Sequence, residues 1–509
     1  MRVLRTPQEA AGWLRSRQAA DLSVDSRKVG AGDGFIAWPG AATDGRKFVS
    51  IALNQGARAC LVEAAGSEAF GFTGDAVVAY EGLKAATGPI AALFYGEPTK
   101  TLDVLAVTGT NGKTSTAWWL AQALSNVQIP CGLIGTLGVG QPPNVEHTGL
   151  TTPDPVLLQR QFRRFIEQGL KACAIEASSI GIVERRMDGM AVRVAGFTNF
   201  TQDHLDYHGT MEAYWEAKAE LFRWPGLQAA VLNIDDARGE QLAADLAGTL
   251  DVWTYSCERA ARLQALEIGY SDGGLRFVIA EGAERHTLQT RLIGQYNVSN
   301  LLGVVGMMRS VAVPLAQAVT ACAHLLPVPG RMERLNQPGK PLVAVDYAHT
   351  PDALDKALLA LRPLAQQRGG QLWCVFGCGG DRDPTKRPLM AAVAEKNADR
   401  VVVTSDNPRS EKPEAVISQV LLGLSHADCV QVEADRARAI AETVAAAGPQ
   451  DVILLAGKGH EDYQEIAGVK HAFSDQAHAQ AALLKYSKST SHPLPPAGEG
   501  RGEGGEGRK

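Results

Sequence analysis

The sequence predicts an α/β protein of three folded domains with an unstructured tail. Its 509 residues exceed the roughly 100 to 200 residues of a typical single domain. Short β-rich runs alternate with helical stretches, which is the pattern of parallel sheets connected by helices. Proline-containing breaks at 97–101 and 324–333 interrupt this alternation. We therefore expect domains at 1–97, 98–328 and 329–486, and a tail at 487–509.

Apolar runs supply the predicted strands, since each is short, apolar and bounded by turn residues. In chain order they are GFIAWPG and ARACLVEA in the first section, LDVLAVT, ACAIEA, VAGFTNF and AAVLNI in the second, and LVAVDYA, QLWCVFG, RVVVTS and DVILLAG in the third. The segment STAWWLAQAL follows LDVLAVT across a glycine-rich turn and predicts a helix. The tail has no large apolar residue except Leu494, so burial cannot offset the entropy of ordering it.

Composition excludes several classes of protein. The chain is 45% apolar and 21% charged, which is ordinary for a globular protein. Fifty basic against 55 acidic residues argues against a general nucleic-acid binder, which usually has a basic excess. Eight scattered cysteines form no CxxC pair, and no uncharged stretch is long enough to span a membrane. We expect a cytoplasmic protein that binds neither nucleic acid nor membrane.

The strongest motif is a glycine-rich loop between a predicted buried strand and a predicted helix. Glycines let backbone N–H groups approach phosphates, and a helix N-terminus adds positive potential. Lys113 would supply charge to the β/γ-phosphates and Thr114 a hydroxyl to Mg²⁺. The loop departs from GxxxxGK[ST], because Val107 stands at the first glycine position. The candidate nucleotide-binding residues are Gly109, Thr110, Asn111, Gly112, Lys113, Thr114 and Ser115.

Titratable residues follow two later predicted strands. Glu176 ends the run ACAIEA, where a carboxylate would face the ligand crevice of a parallel sheet and could bind Mg²⁺. Read alone, Glu176 could equally be a solvated residue at a strand end. The segment 198–208, TNFTQDHLDYH, then places two His and two Asp close together, an arrangement that is costly to bury without purpose. Lys218 follows on a predicted helix, and its own sequence context indicates a solvated charge.

TGTNGKTS resembles the ATP loop of the Mur ligases and folylpolyglutamate synthetases, which form amide bonds using ATP. The titratable cluster resembles the Mur ligase pattern, and the resemblance covers about residues 20 to 485. It implies an N-terminal uridine-nucleotide-binding domain, a central P-loop-type ATPase domain and a C-terminal Rossmann-like domain. It also implies that Glu176 and His204 hold Mg²⁺, with Lys218 carrying a carbamate that helps to bind a second metal ion. The implied catalytic residues are Lys113, Glu176, His204 and Lys218, and the implied metal set is Thr114, Glu176, His204 and Lys218.

Further matches imply contacts to ATP from outside the loop. Asn297 in GQYNVSN resembles the adenine contact of the family. Arg331 in PGRME and Asp346 in DYAHTPD resemble residues that reach ATP from the third domain. The chemistry is consistent, because an Arg fork suits phosphate oxygens and an Asp suits ribose hydroxyls. A hinge near 329–330 would let the third domain close over the nucleotide.

Two groups of residues indicate the substrates within this family. One resembles a site for UDP-N-acetylmuramoyl-L-alanyl-D-glutamate, although Ala41, Leu150 and Glu184 stand where relatives carry His, Asn and Gln. The other resembles the meso-diaminopimelate site marked by DNPR at 406–409, where an Arg fork would read the extra carboxylate and Glu461 the distal ammonium. The first group is Val24, Ser26, Ala41, Ala42, Thr43, Thr151, Thr152, Ser178, Glu184 and Arg186. The second is Arg387, Asp406, Asn407, Pro408, Arg409, Gly457 and Glu461.

The resemblance implies a two-step reaction in a monomeric enzyme. A substrate carboxylate attacks the γ-phosphate of ATP to give an acyl phosphate, and the amine of diaminopimelate then displaces phosphate. Lys113 and two Mg²⁺ ions would stabilise the transferring phosphoryl group. The alternatives are a folylpolyglutamate synthetase-like ligase, a P-loop nucleotide switch or kinase, and an assembly that has lost its chemistry.

Overall fold

The computed structural model of the chain describes residues 1–40, 43–271, 274–426 and 430–486. The predicted tail at 487–509 and the predicted contacts Ala41 and Ala42 lie outside the described residues. Three sheets with helices between their strands and a separate hairpin make up the described chain, which confirms the predicted α/β class. Within those ranges, no helix is both long and apolar enough to cross a membrane.

The first sheet is parallel throughout. Its elements are β1 (Val3–Leu4), α1 (Pro7–Ser16), β2 (Leu22–Ser23), β3 (Gly34–Ala37), α2 (Val49–Asn54), β4 (Ala59–Glu63), β5 (Val77–Tyr80) and α3 (Leu83–Phe94). The strand order is β1-β5-β4-β3-β2, and every neighbouring pair is parallel. A capping box between Thr6 and Glu9 starts α1, each residue accepting the other's backbone N–H.

The second sheet has eleven strands and is parallel at its centre. Its elements are β6 (Asp103–Thr108), α4 (Lys113–Asn126), β7 (Cys131–Gly135), β8 (Gly138–Gln141), β9 (Asn144–Glu146), α5 (Pro155–Glu167), β10 (Ala172–Glu176), α6 (Ser179–Val183), β11 (Val194–Phe197), α7 (Leu205–His208), α8 (Met211–Ala219), β12 (Ala229–Asn233), α9 (Ala237–Leu246), β13 (Asp251–Ser256), β14 (Leu263–Ser271), β15 (Gly274–Glu281), β16 (Glu284–Gln289), α10 (Tyr296–Ser310) and α11 (Leu315–Ala323). The strand order is β16-β15-β14-β13-β12-β11-β6-β10-β7-β8-β9. Strand β6 therefore lies between β10 and β11, and all three end at the same edge.

The third sheet has six strands, and a hairpin stands beside it. Its elements, with the hairpin β23–β24, are β17 (Glu333–Leu335), β18 (Leu342–Asp346), α12 (Pro351–Arg368), β19 (Leu372–Phe376), α13 (Lys386–Asn397), β20 (Arg400–Val403), α14 (Pro413–Leu421), β21 (Gln431–Val432), α15 (Arg436–Ala446), β22 (Val452–Ala456), β23 (Tyr463–Ile466), β24 (Val469–Ala472) and α16 (Asp475–Lys485). The strand order is β17-β18-β22-β19-β20-β21, with only β17 antiparallel to its neighbour. The domain boundaries at 97/98 and 328/329 stay predictions.

The continuous apolar runs are explained by burial of the central strands on both faces. In β6, Leu105 and Val107 belong to one hydrophobic cluster, and Val104 and Ala106 belong to another. Because side chains alternate along a strand, these two clusters lie on opposite faces of the sheet. A strand covered on both faces is apolar at every position, which is why these runs could be recognised in the sequence.

The sequence analysis missed the antiparallel strands at both ends of the second sheet. Strands β14, β15 and β16 pair antiparallel, and so do β7, β8 and β9. Several of these strands have exposed or half-buried positions among the buried ones. A strand with one solvated face carries polar and charged residues, so no apolar run marks it.

The third sheet contains a fully buried ion pair that provides a stability test. Arg436 and Asp475 are joined by two hydrogen bonds of 2.7 and 2.8 Å, and both side chains are inaccessible to solvent. We expect Asp475→Ala to destabilise this domain by about 3–5 kcal/mol, because the arginine would be left buried and uncompensated. Denaturant unfolding followed by far-UV circular dichroism measures the change.

The matched control removes the acidic partner of an exposed ion pair. Arg163 and Glu167 pair across one turn of α5 on the surface. Glu167→Ala should leave the unfolding midpoint nearly unchanged, since exposed pairs contribute little. Equal midpoints for Asp475→Ala and Glu167→Ala would contradict the role assigned to the buried pair.

Candidate active site

The predicted phosphate loop lies between β6 and α4 at the centre of the second sheet. Gly109 and Gly112 have φ values of 140° and 88°. A Cβ at Gly109 would collide with Thr198 Oγ1, and one at Gly112 would collide with Asn300 Oδ1. Both positions therefore require glycine. The loop leads directly into the N-terminus of a 14-residue helix, where N–H groups and the helix dipole favour phosphate.

Lys113 is the first residue of α4, and its side chain folds back over the loop. Its Nζ donates to the carbonyl oxygens of Gly109 at 2.9 Å and Thr110 at 2.8 Å. Burial lowers the pKa of Lys113, and the carboxylates of Glu176 and Asp203 oppose that effect. An anion bound in the loop would stabilise the charged ammonium further.

Glu176 is 1% exposed at the end of β10, so the alternative of a solvated strand-end residue is wrong. Its Oε1 accepts the backbone N–H of Thr136 at 2.7 Å. Its Oε2 accepts the hydroxyl of Thr114 at 2.8 Å and that of Thr136 at 3.2 Å. Because β10 pairs with β6, this carboxylate lies beside the phosphate loop.

Lys218 is 1% exposed, so the solvated charge indicated by its own sequence context is wrong. Its Nζ donates to the carbonyl of Gly109 at 2.7 Å and lies 4.3 Å from the ring centre of Tyr214. Burial, reinforced by the positive charge of Lys113, holds the pKa of Lys218 well below its usual range. Tyr214 lies four residues earlier on α8, so one face of this helix packs against the loop. A lower pKa increases the fraction of neutral amine, which is the form of lysine that reacts with CO₂.

Asp203 belongs to the titratable segment 198–208, for which the sequence predicts no individual role of this residue. In the structure it lies where the second domain meets the third. Its Oδ1 accepts the backbone N–H of His204 at 2.9 Å. Its carboxylate lies 3.7 Å from His349 Nε2 and 3.9 Å from Lys386 Nζ, both from the third domain. Burial opposes its ionisation, but a hydrogen bond from His349 and the positive charges of His349 and Lys386 outweigh it and hold the pKa of Asp203 well below its usual range.

His204 has a left-handed backbone, with a φ of 53°. Its imidazole Nε2 lies 3.5 Å from Asp203 Oδ2. Burial lowers the pKa of His204 to about 3. The negative charge of Asp203 opposes this shift, whereas the positive charges of Lys113 and Lys218 add to it. The imidazole is therefore neutral at physiological pH, which is the form that binds a metal ion.

Residues predicted to reach ATP from outside the loop come together here. Arg331 Nη2 donates to Thr114 Oγ1 at 3.2 Å, and its guanidinium lies 4.4 Å from the ring centre of Tyr347. Its Nη1 is buried without a hydrogen-bond partner among the described residues. Asp346 accepts two backbone N–H groups, and burial raises its pKa. Asn297 donates to a carbonyl of the preceding loop and accepts from Asn300, which fixes its amide.

A cavity of about 700 Å³ joins these groups. This volume lies within the range of small-molecule sites. Both the second and the third domain line it, so a bound ligand would contact both. The predicted residues that line it are Thr110, Asn111, Gly112, Lys113, Thr114, Ser115, Thr151, Glu176, Ser178, His204, Lys218, Asn297, Arg331 and Asp346.

The second-domain residues that are predicted to contact the muramoyl dipeptide continue a hydrogen-bond network that begins at Glu176. Thr151 Oγ1 lies 3.0 Å from the hydroxyl of Thr136, which bonds Glu176. Thr152 Oγ1 lies 2.9 Å from Ser178 Oγ, and the carbonyl of Thr152 accepts Arg186 Nη1 at 3.1 Å. Thr151 and Ser178 line the cavity. Thr152 is fully buried and also bonds the carbonyl of Glu176, so its side chain positions Ser178 and Glu176 and does not face a ligand.

Glu184 differs from the other residues of this group, because the structure already gives it two partners. It accepts from Lys84 Nζ of the first domain at 2.7 Å and from the Tyr207 hydroxyl at 2.5 Å. These two hydrogen bonds hold the pKa of Glu184 below its usual range. Burial and the neighbouring Glu184 raise the pKa of Tyr207 to about 12. Glu184 therefore ties the first domain to the second.

The described residues of the predicted uridine-nucleotide site lie in two neighbouring loops. Val24 and Ser26 follow β2, and Thr43 lies in the loop after β3. Because β2 and β3 are parallel, both loops stand at the carboxyl edge of the first sheet. None of these residues lines the large cavity.

The predicted diaminopimelate residues meet at the carboxyl ends of β20 and β22. A Cβ at Gly457 would collide with Asp406 Oδ2, so these two segments touch. Asn407 donates to Glu461 Oε2 at 2.8 Å and accepts Lys458 Nζ at 3.0 Å. Pro408 precedes the key arginine in this turn.

Arg409 is held in a left-handed conformation, with a φ of 52°. Its N–H donates to the carbonyl of Glu465 at 3.0 Å, and its own carbonyl accepts the N–H of Ala467 at 2.7 Å. Its side-chain Nη1 donates to the carbonyl of Gly380 at 2.7 Å. The hairpin β23–β24 therefore fixes the backbone, and the loop after β19 orients the guanidinium.

The guanidinium of Arg387 is already engaged and is not free to bind a substrate carboxylate at this site. It is 1% exposed, and both of its Nη atoms bond the carboxylate of Glu411 at 2.9 and 2.7 Å. It also donates to Gln419 and to the carbonyl of Gly379. The structure therefore shows Arg387 holding Glu411, next to the DNPR turn.

Sequence reasoning missed Thr136, Lys458 and the role of Asp203. Lys458 is fully buried and donates to both Asn407 and Glu461, so it orients two predicted substrate contacts. The glycine-flanked GKGHE after a predicted strand was the available signal for Lys458. No local pattern marks Thr136, whose role depends on β7 lying beside β10.

The residues at the end of the loop fit Mg²⁺. Among the described residues no group of three or more His, Cys, Asp or Glu is arranged to hold a metal ion. Mg²⁺ needs few protein carboxylates, since it keeps water and phosphate oxygens as ligands. The hydroxyl of Thr114 and the carboxylate of Glu176, 2.8 Å apart, are donors of this kind.

The position of Lys113 gives a direct test of the loop. We expect Lys113→Ala to lower kcat at least about a hundredfold, because charge on the transferring phosphoryl group would lose its nearest ammonium. Steady-state phosphate release measures this. The control is Lys100→Ala, which removes an exposed lysine before β6. Near-normal turnover of Lys113→Ala would contradict the phosphate-loop assignment.

The burial of Lys218 gives a second test, in which stability and activity separate. Lys218→Met should keep the fold and a melting temperature at or above that of the wild type, since it replaces a costly buried amine with an apolar chain of similar length. Turnover should nevertheless be lost. Calorimetry and phosphate release together measure both quantities. A folded Lys218→Met enzyme with normal turnover would exclude Lys218 from the chemistry.

Comparisons with known proteins identify the family. Family models match the chain at residues 107–308 (Mur ligase middle domain), 330–459 (Mur ligase, glutamate ligase domain) and 20–95 (Mur ligase family, catalytic domain). A relative from Acidovorax sp. (strain JS42), named UDP-N-acetylmuramoyl-L-alanyl-D-glutamate–2,6-diaminopimelate ligase, is 60% identical over 493 residues, covering 95% of this chain and 98% of its own.

Two solved structures are also similar. A ligase structure with the same printed name is 35% identical, with a TM-score of 0.63 over 92% of this chain and 95% of its own. A Mycobacterium tuberculosis folylpolyglutamate synthase complexed with ADP and AMPPCP is 19% identical, with a TM-score of 0.60 over 74% of this chain and 92% of its own, and shares the fold. The identity and coverage of the first relative decide the assignment: the chain belongs to the Mur ligase family.

Proposed function

We propose that this protein is an ATP-dependent, ADP-forming ligase that joins meso-diaminopimelate to UDP-N-acetylmuramoyl-L-alanyl-D-glutamate in peptidoglycan precursor synthesis. The observation that carries the proposal is the relation between two sites. The phosphate loop of the second domain and the DNPR turn of the third belong to different sheets, and Gln202 and Asp383 hydrogen bond across the junction. We infer that this contact keeps the two sites close enough for an amine held at the second to reach an acyl phosphate formed at the first.

In the first step, the terminal glutamate carboxylate of the dipeptide attacks the γ-phosphate of ATP. Lys113 at the loop and Arg331 from the third domain would stabilise the charge on the transferring group. Thr151 and Ser178, which line the cavity, would hold the dipeptide carboxylate next to that phosphate, and the buried Thr152 would position Ser178. ADP leaves and an acyl phosphate remains.

In the second step, the amine of diaminopimelate attacks the acyl carbon and inorganic phosphate leaves. The new bond is an amide. Binding both reactants at fixed positions removes most of the entropic cost of their encounter. No described residue stands out as the base that takes the proton of the amine.

Thr114, Glu176, His204 and a carbamate on Lys218 would hold Mg²⁺. When bound, Mg²⁺ supplies Lewis-acid stabilisation of phosphoryl oxygens. The burial and lowered pKa of Lys218 support the carbamate, because only a neutral amine attacks CO₂. The short hydrogen bond between Thr114 and Glu176 supports these two as ligands, and the low pKa of His204 supports the third.

Selection of diaminopimelate rests on the chemistry of the DNPR turn. The guanidinium of Arg409 would bind the carboxylate that lysine lacks, and Glu461 would bind the distal ammonium. Without that carboxylate, Arg409 would lose an ion-pair partner. We therefore expect lysine to be rejected by about 2–4 kcal/mol.

The first domain would bind the uridine nucleotide through Val24, Ser26 and Thr43 at its carboxyl sheet edge. We place domain boundaries at 97/98 and 328/329, and we propose a cytoplasmic monomer. A folylpolyglutamate synthase-like activity is the second candidate. The first domain and the DNPR turn disfavour it, since the folate enzyme matches only 74% of this chain.

Phosphate release from ATP and Mg²⁺ tests the assignment. We expect release only when UDP-N-acetylmuramoyl-L-alanyl-D-glutamate and meso-diaminopimelate are both present, with L-lysine a poor replacement. Equal rates with lysine would contradict the interpretation of DNPR and leave the family intact. Release that needs neither peptide nor amino acid would instead favour a nucleotide switch.

Arg409→Lys tests the amino-acid site alone. A lysine cannot reproduce the two-pronged guanidinium, so we expect the KM for diaminopimelate to rise at least about tenfold while that for ATP changes little. Initial rates with each substrate varied in turn give both constants. Equal increases in the two KM values would remove Arg409 from the amino-acid site.

A further inference from the structure

The loop Gly379–Lys386, here called the bridging loop, touches both halves of the proposed reaction centre. It connects β19 to α13 and has the sequence GGDRDPTK. One end contacts the DNPR turn of its own domain. The other end contacts residues 202–203 of the second domain, directly before the proposed metal ligand His204.

The end near the DNPR turn is fixed by reciprocal hydrogen bonds. Asp381 accepts the backbone N–H of Ser410 at 3.0 Å and its hydroxyl at 2.6 Å. In return, Asp381 N–H donates to Glu411 Oε1 at 2.7 Å, and the carbonyl of Gly380 accepts Arg409 Nη1 at 2.7 Å. The direction of the Arg409 guanidinium therefore depends on where this loop lies.

The end near the second domain is fixed across the domain junction. Gln202 Nε2 donates to Asp383 Oδ2 at 3.3 Å and to Thr385 Oγ1 at 3.1 Å. Asp383 is buried, and its other oxygen accepts the N–H and the hydroxyl of Thr385, which fixes the carboxylate. Lys386 Nζ lies 3.9 Å from Asp203 Oδ1, and both side chains are buried.

The anchored residues are close in sequence, so a shift at one end moves the other. Asp381 and Asp383 are two residues apart, and two residues span at most about 7 Å. Asp203, at the far end, also accepts the N–H of His204, whose backbone is left-handed. The loop therefore joins the guanidinium of Arg409 to the backbone that carries His204.

We propose that the bridging loop couples the amino-acid site to the phosphoryl-transfer site, with Gln202 and Asp381 as positioning residues at its two ends. The proposal rests on the proposed function, because it takes diaminopimelate as the amino acid. Neither residue touches a reacting atom. Together they hold the amine-bearing substrate in register with the acyl phosphate of the other domain.

A double-mutant cycle between Gln202 and Asp381 tests the coupling, since these side chains do not contact each other. Gln202→Ala removes the two hydrogen bonds from the second domain to the loop and leaves the contact of Lys386 with Asp203. Asp381→Asn weakens its hold on Ser410, and asparagine keeps the left-handed backbone that Asp381 has. We expect each variant to lower kcat/KM for diaminopimelate about threefold or more, with kcat/KM for ATP at saturating diaminopimelate within about twofold of wild type.

The double variant distinguishes coupling from two separate losses. If the loop transmits position, the double variant should be no worse than about twice the poorer single variant, because both changes weaken the same connection between the sites. Lys386→Met breaks the buried contact with Asp203. Its loss of kcat/KM for diaminopimelate should likewise not multiply with the loss caused by Asp381→Asn. It gives a second cycle if Gln202→Ala does not fold.

The matched control is Gln241→Ala, which removes the same kind of amide–carboxylate bond, to Asp245, from the exposed surface of α9. It should leave both specificity constants at wild-type values. The coupling would be overturned if the losses of the two single variants multiply in the double variant. It would also be overturned if each single variant loses kcat/KM equally for diaminopimelate and for ATP. In either case, diaminopimelate-dependent activity of the wild-type enzyme would still support the proposed function. A wild-type enzyme indifferent to diaminopimelate would overturn both.

Discussion

One buried carboxylate, Asp203, lies at the point on which the rest of the site depends. A buried carboxylate is costly unless positive or donating groups surround it. Here the closest such side chains outside its own segment, His349 and Lys386, come from the third domain. The second domain therefore places a negative charge that two side chains of the third domain help to compensate, together with the backbone N–H of His204. Docking of the two domains consequently stabilises the segment that carries His204.

The parallel sheets explain how residues far apart in sequence meet at this point. Strands β6, β10 and β11 end side by side and deliver the phosphate loop, Glu176 and the segment 198–208 to one edge. The third domain repeats the arrangement, since β18, β20 and β22 deliver Asp346, the DNPR turn and Gly457. Residues at the carboxyl ends of β6, β10 and β18 line the same cavity. Chemistry placed at a domain junction in this way can be opened and closed by movement of one domain.

Much of the fold could be predicted because the central strands are buried on both faces and are apolar throughout. The phosphate loop could be predicted for a related reason, since the geometry at Gly109 and Gly112 excludes any side chain. The antiparallel strands at the ends of the second sheet could not be predicted, because their solvent-facing polar residues interrupt the apolar runs. The fold class was confirmed, whereas the roles of individual site residues stay predictions.

Within the site, the residues alone could not predict features that depend on packing between segments far apart in the sequence. Nothing local to Lys218 indicates burial, which arises because α8 packs against the loop more than 100 residues away in sequence. The family resemblance supplied a role that the residues did not. Arg387 shows the opposite case: its partner Glu411 lies 24 residues away, so the sequence did not reveal that its fork is already engaged.

The central claim is that ATP activates a substrate carboxylate, and the transfer of an oxygen isotope tests it most directly. The dipeptide substrate would carry ¹⁸O in its terminal glutamate carboxylate and react with ATP and diaminopimelate in unlabelled water. An acyl-phosphate route predicts inorganic phosphate with one ¹⁸O atom, because the attacking carboxylate oxygen leaves with the phosphate. Phosphate whose new oxygen comes from water would show hydrolysis without carboxylate activation and contradict this account.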